Sequence, residues 1–432
     1  MKKIILSAFG FLGSLTAFSQ MYVSPNSYVF VNDQFMYVKQ DVNLQNNGNF
    51  FLRNNSQLLQ GGAGAGANTG AGKLSVFQEG TVNNFQYNYW CSPVGNASAL
   101  VGNEPFGITM LHSPTGVTTS TPATILATNN YNGTASPFAI APYWIWRFIT
   151  SSAYAQWAYV GSATGINAGE GFTMKGTSGT DATIAHATEN IQNNPGNRQR
   201  YDFRGKPNDG NISVPVAINN STLIGNPYPS AIDLNAFLLD PANAALINGQ
   251  AYYWEQVAVN THVLSQYQGG YGIYNPTTGI YTPAAFWTYD GAGNQTGGIP
   301  IGSGTVFQRR FSPIGQGFMV RGVANGNVVM KNQYRLFVKE GVANQSQFAR
   351  TNGVTNAIDD VYNSNSEFFP EIPNVAGTDY TQIRKGTAPY LRIHAMYNNA
   401  GVRPTTIAFM DTATDGFDYG ADGRSPSGEA AE

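Results

Sequence analysis

The sequence predicts an all-β protein, and three observations carry that prediction. Apolar residues alternate at period two in many short runs, Gly, Asn and Pro clusters interrupt the chain about every ten residues, and helical periodicity is scarce. Ile212, Val214, Val216 and Ile218 fall on one face with Asn211, Ser213 and Pro215 opposite, and Leu391, Ile393 and Ala395 repeat the pattern. The best helix candidate starts at Ser230, where Ser230-Ala231-Ile232-Asp233 resembles a capping box ahead of Leu234, Phe237 and Leu238. Pro241 keeps that helix short.

In chain order, residues 1–19 read as a signal peptide. Lys2 and Lys3 precede an apolar run from Ile4 to Phe18, and the small residues Ala17 and Ser19 suit a cleavage that leaves Gln20 first. A run of about 15 apolar residues is short against the roughly 20 of a membrane span. No later stretch is apolar enough to cross a bilayer, so the expectation is no transmembrane segment after signal removal. Residues 20–80 carry short runs, Tyr28-Val29-Phe30-Val31, Met36-Tyr37-Val38 and Phe50-Phe51-Leu52, between Asn-rich turns. That spacing suits solenoid-like rungs or a β-meander. The Gly/Ala-rich segment Gly61 to Gly72 reads as a flexible loop or linker.

Residues 81–205 and 206–345 read as two copies of one β-sandwich-like unit. Asn88-Tyr89-Trp90-Cys91-Ser92-Pro93 has a counterpart in Gly225-Asn226-Pro227-Tyr228-Pro229-Ser230, and Trp144-Ile145-Trp146-Arg147-Phe148 in Phe286-Trp287-Thr288-Tyr289. Gly169-Glu170-Gly171-Phe172-Thr173-Met174-Lys175-Gly176 matches Gly315-Gln316-Gly317-Phe318-Met319-Val320-Arg321-Gly322, and Asn197 and Arg200 match Asn332 and Arg335. One copy carries Glu170 where the other carries Gln316. A catalytic carboxylate is not interchangeable with an amide, so the motif reads as architecture. Residues 346–432 read as the start of a further β domain, expected to be incomplete.

Composition narrows the function classes. Charged residues make up 11% of 432 and the net charge is −2, which gives no global basic field for nucleic acid or anionic lipid. Aromatics at 13% argue against wholesale disorder. The single cysteine, Cys91, excludes an internal disulfide framework and multi-Cys metal sites, and reads as a buried small hydrophobe. The Gly-rich run before Lys73 fails as a phosphate loop, because Ala67 and Leu74 stand where Gly and Ser or Thr are required. His112, His186, His262 and His394 are dispersed without zinc-site spacing, and no nucleophile elbow is present.

Two sets of residues are candidates for binding. Asp411, Asp415, Asp418 and Asp422, among Gly416, Gly420 and Gly423, offer hard oxygen ligands that calcium takes; the alternative is a solvated turn. No other cofactor is expected. Of the abundant aromatics, which include Tyr143 and Trp157, Trp144, Trp146, Tyr252, Tyr253 and Trp254 are candidates for stacking on a sugar face or a partner surface. Against that, the alternation of Trp144 and Trp146 puts both on one face, as core residues also are.

The runs Leu74-Ser75-Val76-Phe77-Gln78-Glu79-Gly80, Phe203-Arg204-Gly205-Lys206-Pro207-Asn208-Asp209-Gly210 and Leu223-Ile224-Gly225-Asn226-Pro227-Tyr228-Pro229-Ser230, with Tyr87 to Pro93, resemble large secreted proteins of Bacteroidota. Those proteins, flavobacterial ones especially, are cargo of the type IX secretion system and often adhesin-like. The segment Arg403 to Gly420 is similar to a later β domain of the same proteins, in which further strands and a C-terminal sorting domain follow. The resemblance covers nearly all of the mature chain and implies export by that machinery, with display on the cell surface or release. It implies no catalytic residue. The expectation is a non-catalytic extracellular structural or adhesion protein whose partners are glycans or other surface proteins. The alternative is a carbohydrate-binding module or accessory part of a secreted polysaccharide-degrading enzyme.

Overall fold

In the computed structural model the described residues are 20–178, 183–185, 190–192, 199–348, 366–386, 388–397 and 401–423. The proposed signal peptide, His186 and Asn197 lie outside them. The described chain is nearly all β, with two short helices.

The N-terminal strands pair in parallel. Met21–Val23 lies beside Val42–Leu44, Tyr28–Asn32 beside Asn49–Arg53, and Phe35–Val38 beside Gln57–Gln60. A meander would pair neighbours antiparallel, so these are two stacked turns of a parallel coil. Asparagine makes its corners. Asn26 and Asn47 sit at φ of 58° and 59°, a region asparagine tolerates better than most residues, and Asn47 Nδ2 donates to Asn26 Oδ1 at 3.1 Å. Asn54 repeats the contact to Asn32 at 2.8 Å.

The Gly61–Gly72 run is a third, partial turn and not a free linker. Asn68 is wholly buried, accepts from Val42 N at 2.7 Å and donates to Pro207 O at 2.9 Å. Strand Lys73–Glu79 then pairs parallel to Asn49–Arg53 and antiparallel to Arg200–Pro207. It carries the coil's sheet into the first unit, and Leu44, Phe50 and Leu74 share one core with Trp90, Phe172 and Phe203.

The duplicated motif folds identically in register. In the first copy Cys91 opposes Gly171 and Trp90 opposes Phe172; in the second Gly225 opposes Gly317 and Ile224 opposes Phe318. The copies also interlock reciprocally. Trp90 bridges to Gln316, and its counterpart Ile224 bridges to Glu170, the counterpart of Gln316. The strands approach so closely that side chains are excluded. A Cβ on Gly225 would come within 2.5 Å of Cys91 Cβ and 2.8 Å of Gly317 Cα, and one on Gly317 within 2.8 Å of Trp90 N and O. Cys91 is buried at this crossing, and burial pushes its thiol pKa well up. Glu170 accepts from Asn167 N and Arg147 Nη1, both at 3.1 Å, while Gln316 Nε2 donates to Gly317 O at 2.6 Å. Each residue at this position satisfies its own turn.

Two expectations shift. The helix is Leu234–Leu238, capped by Asp233, whose Oδ1 accepts from Asn235 N at 3.0 Å. Ser230 is not the cap, because Ala231–Asp233 is drawn into a strand between Phe311–Ser312 and Arg335–Leu336. Strands Tyr390–Tyr397 and Gly401–Ala408 form a hairpin. Its Leu391 and Ile393 are exposed instead of core-facing, and so are Tyr390 and Met396 on the opposite face, so this strand buries neither side; Arg392 Nη2 donates to Tyr281 O at 3.1 Å.

Candidate functional site

A cavity of about 300 Å³ opens between the two units, and nine of its thirteen lining residues are Tyr or Trp. The period-two geometry of the strands builds it. On Tyr87–Cys91, Tyr87 and Tyr89 project to the cavity while Trp90 enters the core. Opposite them Thr173 pairs with Tyr89, and Lys175 with Tyr87. Trp146, Tyr154 and Trp157 complete the first unit's wall. From the second unit, Trp254 opposes Tyr271 across paired strands at a ring separation of 5.3 Å, with Tyr289 6.0 Å from Trp254.

The units meet around this space. Tyr89 Oη and Tyr271 Oη are 2.8 Å apart, and Gly293, at φ 86°, leaves room for the Tyr154 ring where a Cβ would collide with it. Below lies a cluster drawn from both units, Phe148, Leu223, Tyr252, Ile273 and Met319, with Tyr89. Most polar tips in the wall are already occupied. Trp146 Nε1 donates to Tyr143 O at 2.6 Å, Trp254 Nε1 to Gln256 Oε1 at 2.8 Å, and Tyr289 Oη to Gly269 O at 3.0 Å. The wall therefore presents mainly aromatic, apolar surface. Burial raises the pKa of Tyr87 and Tyr89, with neighbouring tyrosines adding to it, so both stay neutral through the physiological range.

Behind Tyr87 and Tyr267 lies a buried amine. Lys175 Nζ is 3.4 Å from the Trp144 ring centroid, 4.7 Å from that of Tyr87 and 5.1 Å from that of Tyr267. It donates to Tyr267 Oη at 2.5 Å and lies 3.0 Å from His262 Nδ1. Burial lowers the lysine pKa to about 6. His262 stacks on Trp144 at 4.9 Å, and burial first, then Lys175, lowers its pKa to about 4. The residues from Val257 to Tyr267 thus form a strap from the second unit pinned onto the first, since His262 Nε2 also meets Asn132 Oδ1 at 2.8 Å and Tyr267 Oη donates to Phe85 O at 2.8 Å.

Of the five aromatic candidates, Trp146 and Trp254 line the cavity. Trp144 does not share their face: Pro142–Trp144 is a 3₁₀ turn, which breaks the alternation and turns the indole toward Lys175. Tyr252 lies in the cluster beneath the cavity, and Tyr253 packs against Phe318 in the second unit's core. The missed lining residues include Tyr87, Tyr89 and Tyr271, and the alternation of Tyr87 and Tyr89 around buried Asn88 was their available signal.

The aspartates are not gathered into a calcium site. Among the described residues no group of three or more His, Cys, Asp or Glu is placed to hold a metal ion. Asp418 closes its own turn, its Oδ2 accepting from Thr414 N at 2.7 Å, and Asp422 Oδ2 accepts from Asp418 N at 2.9 Å. The solvated-turn alternative describes them. Both line a second cavity, of about 620 Å³, between the hairpin and the second unit.

Fold and cavity define the class: an all-β protein in which a short parallel coil leads into two interlocked copies of one strand-pair motif, with an aromatic pocket between them. The chain belongs to the family described as a domain of unknown function, DUF8693, whose model matches residues 13–432. No curated protein and no solved structure matches it. Among the described residues no helix is long and apolar enough to cross a membrane.

Proposed function

We propose that the chain is an exported, non-catalytic structural and adhesion protein of the cell surface or extracellular space, and that the aromatic pocket is its contact site. The pocket carries this reading. Its walls come from strands and short turns of both units, and its lining residues include no Asp, Glu, His, Cys, Lys or Arg. Burial keeps Tyr87, Tyr89, Tyr154, Tyr267 and Tyr271 neutral and so poor bases through the physiological range. Export rests on the N-terminal charge and apolar pattern, and the type IX route on the sequence resemblance. The same pocket favours a second reading, a carbohydrate-binding part of a secreted polysaccharide-degrading assembly.

The test is adherence of beads coated with the chain to the producing cells' natural surfaces. Trp157→Ala combined with Trp254→Ala is expected to abolish adherence while circular dichroism stays unchanged. Adherence that survives both changes would sink the assignment of the pocket. Turnover of any member of a broad glycan and peptide panel would sink the non-catalytic reading.

A further inference from the structure

Resting on the pocket as contact site, we infer that its ligand is an uncharged sugar ring, a single pyranose or the terminal ring of a short neutral glycan, held by stacking and not by charge. The size comes first. A volume of about 300 Å³ stands at the small end of the roughly 300–1,000 Å³ of ligand pockets, and both units wall it, so it admits one end of a ligand and not a chain lying across it.

Charge comes second. No lining residue carries a formal charge, so an anionic sugar or phosphate entering the pocket would leave water without a guanidinium or ammonium to meet it. A quaternary ammonium would suit ring faces alone. Here, however, the Lys175 amine already lies 4.7 Å from the ring centroid of Tyr87 and 5.1 Å from that of Tyr267, two of the rings such a cation would use. It takes up ring surface that the cation needs, and below about pH 6, where it is protonated, it also repels a second cation.

The third point is the match of surfaces. A pyranose presents a face of weakly polarised C–H bonds and a rim of hydroxyls. The electron-rich rings of Trp157, Trp254 and Tyr271 in the lining suit the first. The hydroxyls of Tyr87 and Tyr154 and the Trp157 indole N–H, which make no hydrogen bond among the described residues, suit the second. Among the lining residues, Trp157 therefore combines both functions.

The experiment is a tryptophan-fluorescence titration of the whole chain with methyl pyranosides and neutral oligosaccharides, alongside sodium glucuronate and tetramethylammonium chloride. At least one neutral sugar is expected to give a saturable change that persists at about 0.5 M salt. Trp157→Ala is expected to weaken it about tenfold or more, and Tyr154→Phe less, with the fold intact by circular dichroism. Saturation by tetramethylammonium or glucuronate but by no neutral sugar overturns the ligand class while leaving the pocket as contact site. Silence from every probe, with bead adherence still lost on Trp157→Ala and Trp254→Ala, also overturns the class alone. Silence from every probe with adherence intact overturns the pocket itself.

Discussion

Lys175 shows how one residue's surroundings set its chemistry. Its amine is buried, with Tyr267 Oη and His262 Nδ1 in reach and the rings of Tyr87 and Trp144 against it. Among the described residues no carboxylate pairs with it, and its pKa falls to about 6. The unfolded chain keeps a lysine pKa of about 10.4. Between those values the unfolded state binds the extra proton, so stability rises with pH across that window and the slope vanishes below about pH 6. Lys175→Met is expected to raise the melting temperature at pH 7 and flatten the curve between about pH 6 and 10; thermal melts across that range decide it. An unchanged slope would place the titration elsewhere. The sequence pattern puts Phe172 in the core and Lys175 on the solvent side; the structure buries Lys175 instead, because its cover arrives from Trp144 and from a strap some ninety residues later in the chain.

Two elements carry most of the local specification. At the crossing of the repeats, Gly225→Ala and Gly317→Ala each place a methyl against backbone that cannot withdraw. Each is expected to destabilise by about 1–3 kcal/mol or more, whereas Gly291→Ala, with nothing within 4 Å of the new Cβ, should stay within about 0.5 kcal/mol. Urea denaturation of the three variants makes the comparison, and equal effects would remove the close-approach argument. In the coil, Asn68→Ala leaves the Val42 N–H and Pro207 C=O without their side-chain partner. A loss of about 1–3 kcal/mol per orphaned group is expected in the same assay. Asn and Gly at these places were visible in the sequence as turn formers. Their second role, filling a buried gap or permitting contact with a distant strand, was not.

The whole molecule is tied together across its sequence segments. Gln57 of the coil donates to Val338 O at 2.6 Å and accepts from Ala231 N at 2.8 Å, and Asn332 Nδ2 donates to Gly62 O at 2.8 Å. Arg335, fully buried, reaches Asp209 at 3.4 Å and Ser230 Oγ at 3.1 Å, and also bonds Leu58 O. Coil and both units are therefore expected to unfold in one calorimetric transition; two separated transitions would contradict the interlock. At this scale charge also matters. With 11% charged residues and a net charge of −2, adherence should change little with ionic strength. A collapse at moderate salt would point to a charged contact surface instead of the aromatic pocket.

The sequence by itself determined the all-β class and the repeated strand-pair motif whose register the two copies share. These are local properties: alternation fixes which residues share a face, and Gly and Asn fix where the backbone can turn. Only the tertiary structure decided that the N-terminal strands stack in parallel, that the two copies clasp each other, and that Trp146 and Trp254 meet in one pocket while Trp144, Tyr252 and Tyr253 do not. Parallel pairing and convergence from separate strands depend on contacts between residues far apart in the chain. Period-two alternation states that a side chain leaves one face of a strand; it does not say whether core, solvent or a cavity lies beyond that face.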